Sequence, residues 1–121
     1  MRFAAIMTAG AMLGLAGPAL AAECVRPEAP ASVDGATATM EQLLAAKAAV
    51  TDFMTKSDAY QSCMLDDVNA QKAAAKAAKT KFDSAIAKAA DAKIGENQAD
   101  KERVGQSFNA AAKAYKAAPP S

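Results

Sequence analysis

Residues 24–63 read CVRPEAPASVDGATATMEQLLAAKAAVTDFMTKSDAYQSC, with a cysteine at each end and a change of character near the middle. The first third cannot be helical, because Pro27 and Pro30 fix their own φ and push the residues before them to extended conformations. Asp34-Gly35 is a turn signal. Thr39 stands three residues ahead of Gln42, the spacing of a capping box, and Glu41 falls in the first turn, where the helix dipole favours negative charge. From there Leu43, Ala46, Val50, Phe53, Tyr60 and Met64 recur at steps of three, four and seven, with Ser57 filling the gap. Met40, Leu44 and Met54 widen this stripe into the broad face of a helix packed in a bundle, with methionine as an adaptable core filler.

The two halves of this stretch have matching lengths. A helix over 38–63 rises about 37 Å, and a polyproline-like leader over 24–37 reaches about 40 Å. The leader can therefore run antiparallel to the helix and bring Cys24 to Cys63 with little slack. There are two cysteines in all, in a chain that reads as exported, so an intramolecular disulfide is expected. The alternatives are a redox-active pair or an intermolecular bridge; the spacing is far from C-x-x-C, and neither neighbourhood stabilises a thiolate.

Export is read from residues 1–21. Arg2 gives a short positive region, Phe3 to Leu15 an apolar run, Gly17-Pro18 a break, and Ala19-Leu20-Ala21 small residues at the positions a signal peptidase reads, which puts cleavage between Ala21 and Ala22. The run is shorter than the roughly 20 apolar residues of a membrane span, and no later stretch is long enough, so no transmembrane segment is expected. Cys24 follows the apolar region closely, but Glu23 stands where lipidation calls for a small residue, which argues against a lipid anchor.

What remains is one domain by length, read as an extended Pro-rich leader over 22–37, a helical domain over 38–117 and a disordered tail over 118–121. It is rich in Ala and has neither His nor Trp. Loss of Arg2 leaves thirteen basic residues against thirteen acidic ones. Zero net charge argues against a general nucleic-acid or anionic-membrane binder. The charges are unevenly placed: residues 22–69 carry eight acidic and three basic side chains, residues 70–121 five acidic and ten basic. This is read as an acidic first helix held against a basic second one. The sharper reading makes Lys72, Lys76, Lys79, Lys81 and Lys88 a candidate interaction face for an anionic partner; exposed lysines on an Ala-rich helix are more often a solvated face.

Beyond Cys63, Met64 to Asn69 reads as a break, with Asp66 and Asp67 capping the junction. Gln71 to Lys81 has strong helix propensity, and Phe82, Ile86, Ala89 and Ala90 mark the buried side of a second helix. Ile94-Gly95-Glu96-Asn97 is a second candidate turn, with Gly95 at a C′ position. A third helix over about 98–117 carries Val104, Phe108, Ala111 and Tyr115 on one face, and Pro119-Pro120 stop it. The expected fold is all-α, a small antiparallel three-helix bundle with Phe53/Tyr60 and Phe108/Tyr115 sharing a core around Phe82 and Ile86. The alternative is a long helical hairpin. Its apolar phase runs through 94, 97, 101, 104 and 108, but Asn97 and Lys101 are poor seam residues.

The pattern C-x-R-P-x-x-P…D-G-A-T-A…Y-x-x-C, carried by Cys24, Arg26, Pro27, Pro30, Asp34 to Ala38, Tyr60 and Cys63, is followed by an Ala/Lys-rich stretch and by F-N-A-A-x-x-A-Y-K-A over Phe108 to Ala117. It resembles a group of small exported Ala-rich helical proteins of Gram-negative bacteria. The resemblance covers most of the mature chain and implies a compartment and a disulfide, but no activity.

Few residues in this chain offer catalytic chemistry. Without His, Ser-His-Asp and Cys-His sites are excluded, and most zinc sites with them. Both thiols are consumed by the disulfide, and Asp66 and Asp67 diverge by about 100° on a helix. Gly95 and Gly105 stand alone, so there is no phosphate-binding loop. No catalytic residue, cofactor or metal is expected. The chain is read as a non-catalytic structural or protein-interaction module of the periplasm or cell surface, binding a protein partner or itself. The alternatives are a periplasmic holdase or inhibitor-like binding protein, using the lysine face or the Met40/Leu44/Met54 flank, and a small-ligand or metal binder.

Overall fold

Thr39 opens the first helix as its spacing requires. Its hydroxyl accepts from the Gln42 N–H at 3.1 Å, and the Gln42 side chain accepts from the Thr39 N–H at 3.0 Å. In the computed structural model, which describes residues 24–119, helix α1 spans Met40–Ala77 and helix α2 spans Ser84–Ala117. The expected signal peptide with its Ala21/Ala22 cleavage site, and the last two residues of the expected tail, lie outside the described residues.

Helix α1 has 38 residues, about 57 Å, and runs straight through the break expected at Met64–Asn69. Nothing there removes a backbone donor or forbids helical φ, and Val68 is buried. Asp66 and Asp67 therefore cap nothing; they lie mid-helix, where Asp67 accepts from the Gln71 side-chain amide at 3.0 Å. The chain turns later, over residues 78–83. The Lys79 N–H donates to the Lys76 carbonyl at 3.1 Å and the Thr80 N–H to the Ala75 carbonyl at 2.9 Å, the two bonds of a Schellman cap. Lys79 occupies the left-handed position, with φ 56°. Asp83 then caps α2, accepting from the Ala85 N–H at 2.9 Å.

The three-helix bundle is thus corrected to a two-helix hairpin. The second candidate turn, Ile94 to Asn97, is continuous α2, and an unhindered Gly95 sits in its interior. The physical reason lies in Asn97, the residue that made a continuous seam look unfavourable. It is fully buried, donates to the Ser57 hydroxyl at 3.1 Å and accepts from the Gln61 amide at 2.9 Å. Lys101 stands at the seam's edge and reaches Asp58. The Ser57 hydroxyl in α1 answers the Asn97 amide in α2, so neither is an orphan in the core.

The place of the missing third helix is taken by the leader. It is tied to α1 by the Cys24–Cys63 disulfide and runs antiparallel to that helix, as the length match allows. Along α2 it runs parallel, with Arg26 at Glu96 and Asp100, the Ser32 hydroxyl 3.0 Å from that of Ser107, and Gly35 against Ala111. The leader covers the side of the hairpin that Val50, Val104 and Phe108 would otherwise expose. The buried hydrophobic set is small: Phe53, Tyr60, Val68, Ala90, Val104 and Ala111. The core imagined around Phe82 does not form, because Phe82 lies at the loop end beneath Lys72. Of the flank expected to widen the α1 stripe, Met54 is half-buried, while Met40 and Leu44 are exposed.

Two local choices in this fold run against intrinsic preference, a lysine at φ 56° and a glycine inside a helix with nothing within 4 Å of its would-be side chain. The double substitution Lys79→Gly/Gly95→Ala is expected to raise stability by about 1–2 kcal/mol, read as a higher urea midpoint with unchanged slope.

Candidate functional site

Three regions could carry function. The first is a polar belt around the middle of the hairpin. Its interior is the Ser57–Asn97–Gln61 cluster, extended by Gln98, which accepts from the Gln61 amide at 3.3 Å. Its outer face is built by the leader. Glu96 and Asp100 are four residues apart, so they share one face of α2, and Arg26 reaches both: Nη1 to Glu96 at 3.0 Å and Nη2 to Asp100. Arg103 meets the second Asp100 oxygen at 3.1 Å. The hydrogen bond from Arg26, followed by the charges of Arg26 and Arg103, holds the Asp100 carboxyl below the usual aspartate range, while Asp100 and Glu96 hold the Arg26 guanidinium above its own high value. The belt pins the leader and fixes helix register; every buried polar side-chain atom among the described residues has a partner.

The sign of the pH effect follows from Asp100. A carboxyl lowered on folding contributes stability that is complete above the unfolded value, about pH 4, and is lost as pH falls through the lower folded value. Between pH 4 and pH 2 the wild type should lose more stability than Asp100→Asn. The check is chemical denaturation at several pH values.

The second region lies along the leader. A cavity of about 150 Å³ sits between Pro30–Val33 and the Val104–Phe108 turn. An open groove of about 760 Å³ follows the leader past the disulfide, floored by Phe53 and Tyr60 and edged by Asp52 and Lys56. Those two edge charges pair with each other at 2.8 Å. The groove offers apolar surface and the Tyr60 phenol, and its lining also includes Arg26 and Glu28.

The third region is the loop end. Lys72, Lys76, Lys79, Lys81 and Lys88 are all exposed there, brought together by the junction at 78–83. Instead of a stripe along one helix, they are distributed over the end of α1, the loop and the start of α2. Lys72 Nζ lies 5.6 Å from the centroid of the Phe82 ring, within cation–π range.

Sequence reasoning singled out the disulfide and the lysines. It missed Arg26 as a clamp and Ser57, Gln61 and Asn97 as a cluster. The i,i+4 acidic pair Glu96/Asp100 was the available signal for a basic partner. Among the described residues no group of three His, Cys, Asp or Glu side chains could hold a metal ion, and no helix is long and apolar enough to cross a membrane. Comparison with protein-family models, curated proteins and solved structures finds no match.

Proposed function

We propose that this chain is an exported, non-catalytic interaction module of the periplasm or cell surface, a hairpin stiffened at one end so that the other can bind a protein partner. The observation that carries this reading is the uneven cover of the hairpin. The leader completes the fold from the level of Cys63 and Glu96 towards Ala117, and beyond Cys24 the two helices have no third element among the described residues. In that uncovered half Leu65 keeps 51% of its surface exposed. Export is supported by the reading of residues 1–21 and by the disulfide, which is typical of an oxidising compartment.

Native mass spectrometry of the protein isolated without reductant from its own periplasm tests the reading. A specific hetero-complex or homo-oligomer is expected; a bare monomer at every concentration, with no associated chain, would count against it. A holdase is the second reading. Met40 and Leu44, four residues apart on one face of α1, are 52% and 57% exposed. Suppression of aggregation of an unfolded client, lost on Met40→Gln/Leu44→Gln, would favour that alternative.

A further inference from the structure

None of the five lysines gathered at the loop end takes part in an ion pair among the described residues. All the ion pairs among the described residues lie in the middle of the molecule, on Arg26, residues 52–58 and residues 96–103. Between residues 70 and 90 there are five lysines and a single acidic residue, Asp83. The Asp83 side chain is already engaged as the N-cap of α2, accepting from the Ala85 N–H. The fold thus concentrates a local charge of +4 at one end of a chain whose mature charges cancel.

At the apex the backbone is also held where a lysine is unfavourable. Lys79 takes the left-handed position of the cap, with φ 56°, which glycine or asparagine usually fills. This strained position places one more ammonium at the outermost turn.

We propose that this end of the hairpin docks on an anionic phospholipid surface. For the lysine tip itself, as distinct from the apolar flank beside Leu65, the geometry favours a plane over a shaped protein site. The lysines spread over the end of α1, the loop and the start of α2; the two cavities described lie along the leader, at the other half of the molecule. No arginine occurs between residues 70 and 90, although its planar fork is the group suited to geometric recognition of carboxylates. Lysine ammoniums are hydrated point charges, and a cluster of them is drawn to a charged bilayer without a shaped site. The hairpin then stands end-on, with the uncovered halves of both helices nearest the lipid. The inference is independent of the protein-partner reading, because vesicles test the lysine end with no partner present.

The test is co-sedimentation of the oxidised protein with vesicles of phosphatidylglycerol mixed with phosphatidylcholine, and of phosphatidylcholine alone. Binding is expected only to the first and should fall steeply with salt. Each lysine removed should weaken partitioning about fivefold, so Lys72→Gln/Lys76→Gln/Lys81→Gln should bind about a hundredfold less. The control Lys47→Gln/Lys113→Gln/Lys116→Gln removes the same net charge from the opposite end and should bind nearly as wild type. All six side chains are exposed, and circular dichroism verifies folding; alanine versions of the Lys72 and Lys76 changes keep helix propensity if the glutamines disturb it. Any of three results would overturn the proposal: no binding to phosphatidylglycerol at low salt, equal losses in both triple variants, or tighter binding of the lysine end to polyglutamate than to the vesicles.

Discussion

Replacing Cys24 and Cys63 together by serine should lower the unfolding free energy by about 3–4 kcal/mol while leaving far-UV helicity at low temperature almost unchanged. The bridged residues are 39 apart, and for a loop of that size the loss of chain entropy in the unfolded state gives this magnitude. The native state also changes. Without the disulfide the leader is held by the Arg26 clamp, the Ser32–Ser107 hydrogen bond and the Gly35 contact. Exposed ion pairs of that kind contribute about 0–1 kcal/mol each, so the leader should exchange its amide hydrogens faster than either helix. The double substitution avoids the free thiol that a single one leaves behind. An oxidised wild type and a double mutant that melt together would show that the strap contributes nothing to the fold.

Gly35→Ala is the second large effect, a loss of about 2–3 kcal/mol. The φ of Gly35 is not positive, so left-handed conformation is not the reason for glycine. Close approach is the reason. A methyl group at residue 35 would lie 2.8 Å from the Ala111 Cα and closer still to its carbonyl group. These are backbone atoms of α2 and cannot move aside as a side chain would. Ala111→Gly should therefore fail to rescue the variant, which distinguishes a main-chain clash from ordinary overpacking. Gly95→Ala, with open space around it, serves as the control of opposite sign. A urea midpoint for Gly35→Ala within error of wild type would mean that the turn can lift off α2 at no cost.

Much of the first half of the fold was legible in the sequence. Pro27 and Pro30 dictate an extended leader, Thr39 and Gln42 start the helix, and the equal lengths of leader and helix bring Cys24 to Cys63. The second half was misread because its punctuation is weak. Gly95 reads as a helix end, yet its penalty of about 1 kcal/mol is small beside what a continuous α2 places in the seam. The true turn carries lysine at the position where glycine would announce it, so nothing in residues 78–80 marks it from outside. Asn97 looked wrong for a core because its partner, Ser57, is 40 residues away in the sequence; a polar seam residue is acceptable once its partner is in place. The candidate site moved with the turn. A junction near residue 66 would leave the lysines strung along a helix, whereas the junction at 78–83 gathers them at an end.

The disulfide closes a ring of covalent bonds that holds the leader and the front of α1 but not α2. A peptide-bond cut at any one place between residues 24 and 63 opens that ring and still leaves a single molecule. A cut in the loop at Lys79 or Lys81 is different, because it frees a fragment carrying all of α2, held only by the seam, the Arg26 clamp and the leader contacts. The two parts of this hairpin are therefore unequal towards a protease: within residues 24–63 one cleavage leaves both pieces bound covalently, and at the lysine end one cleavage can take the molecule apart.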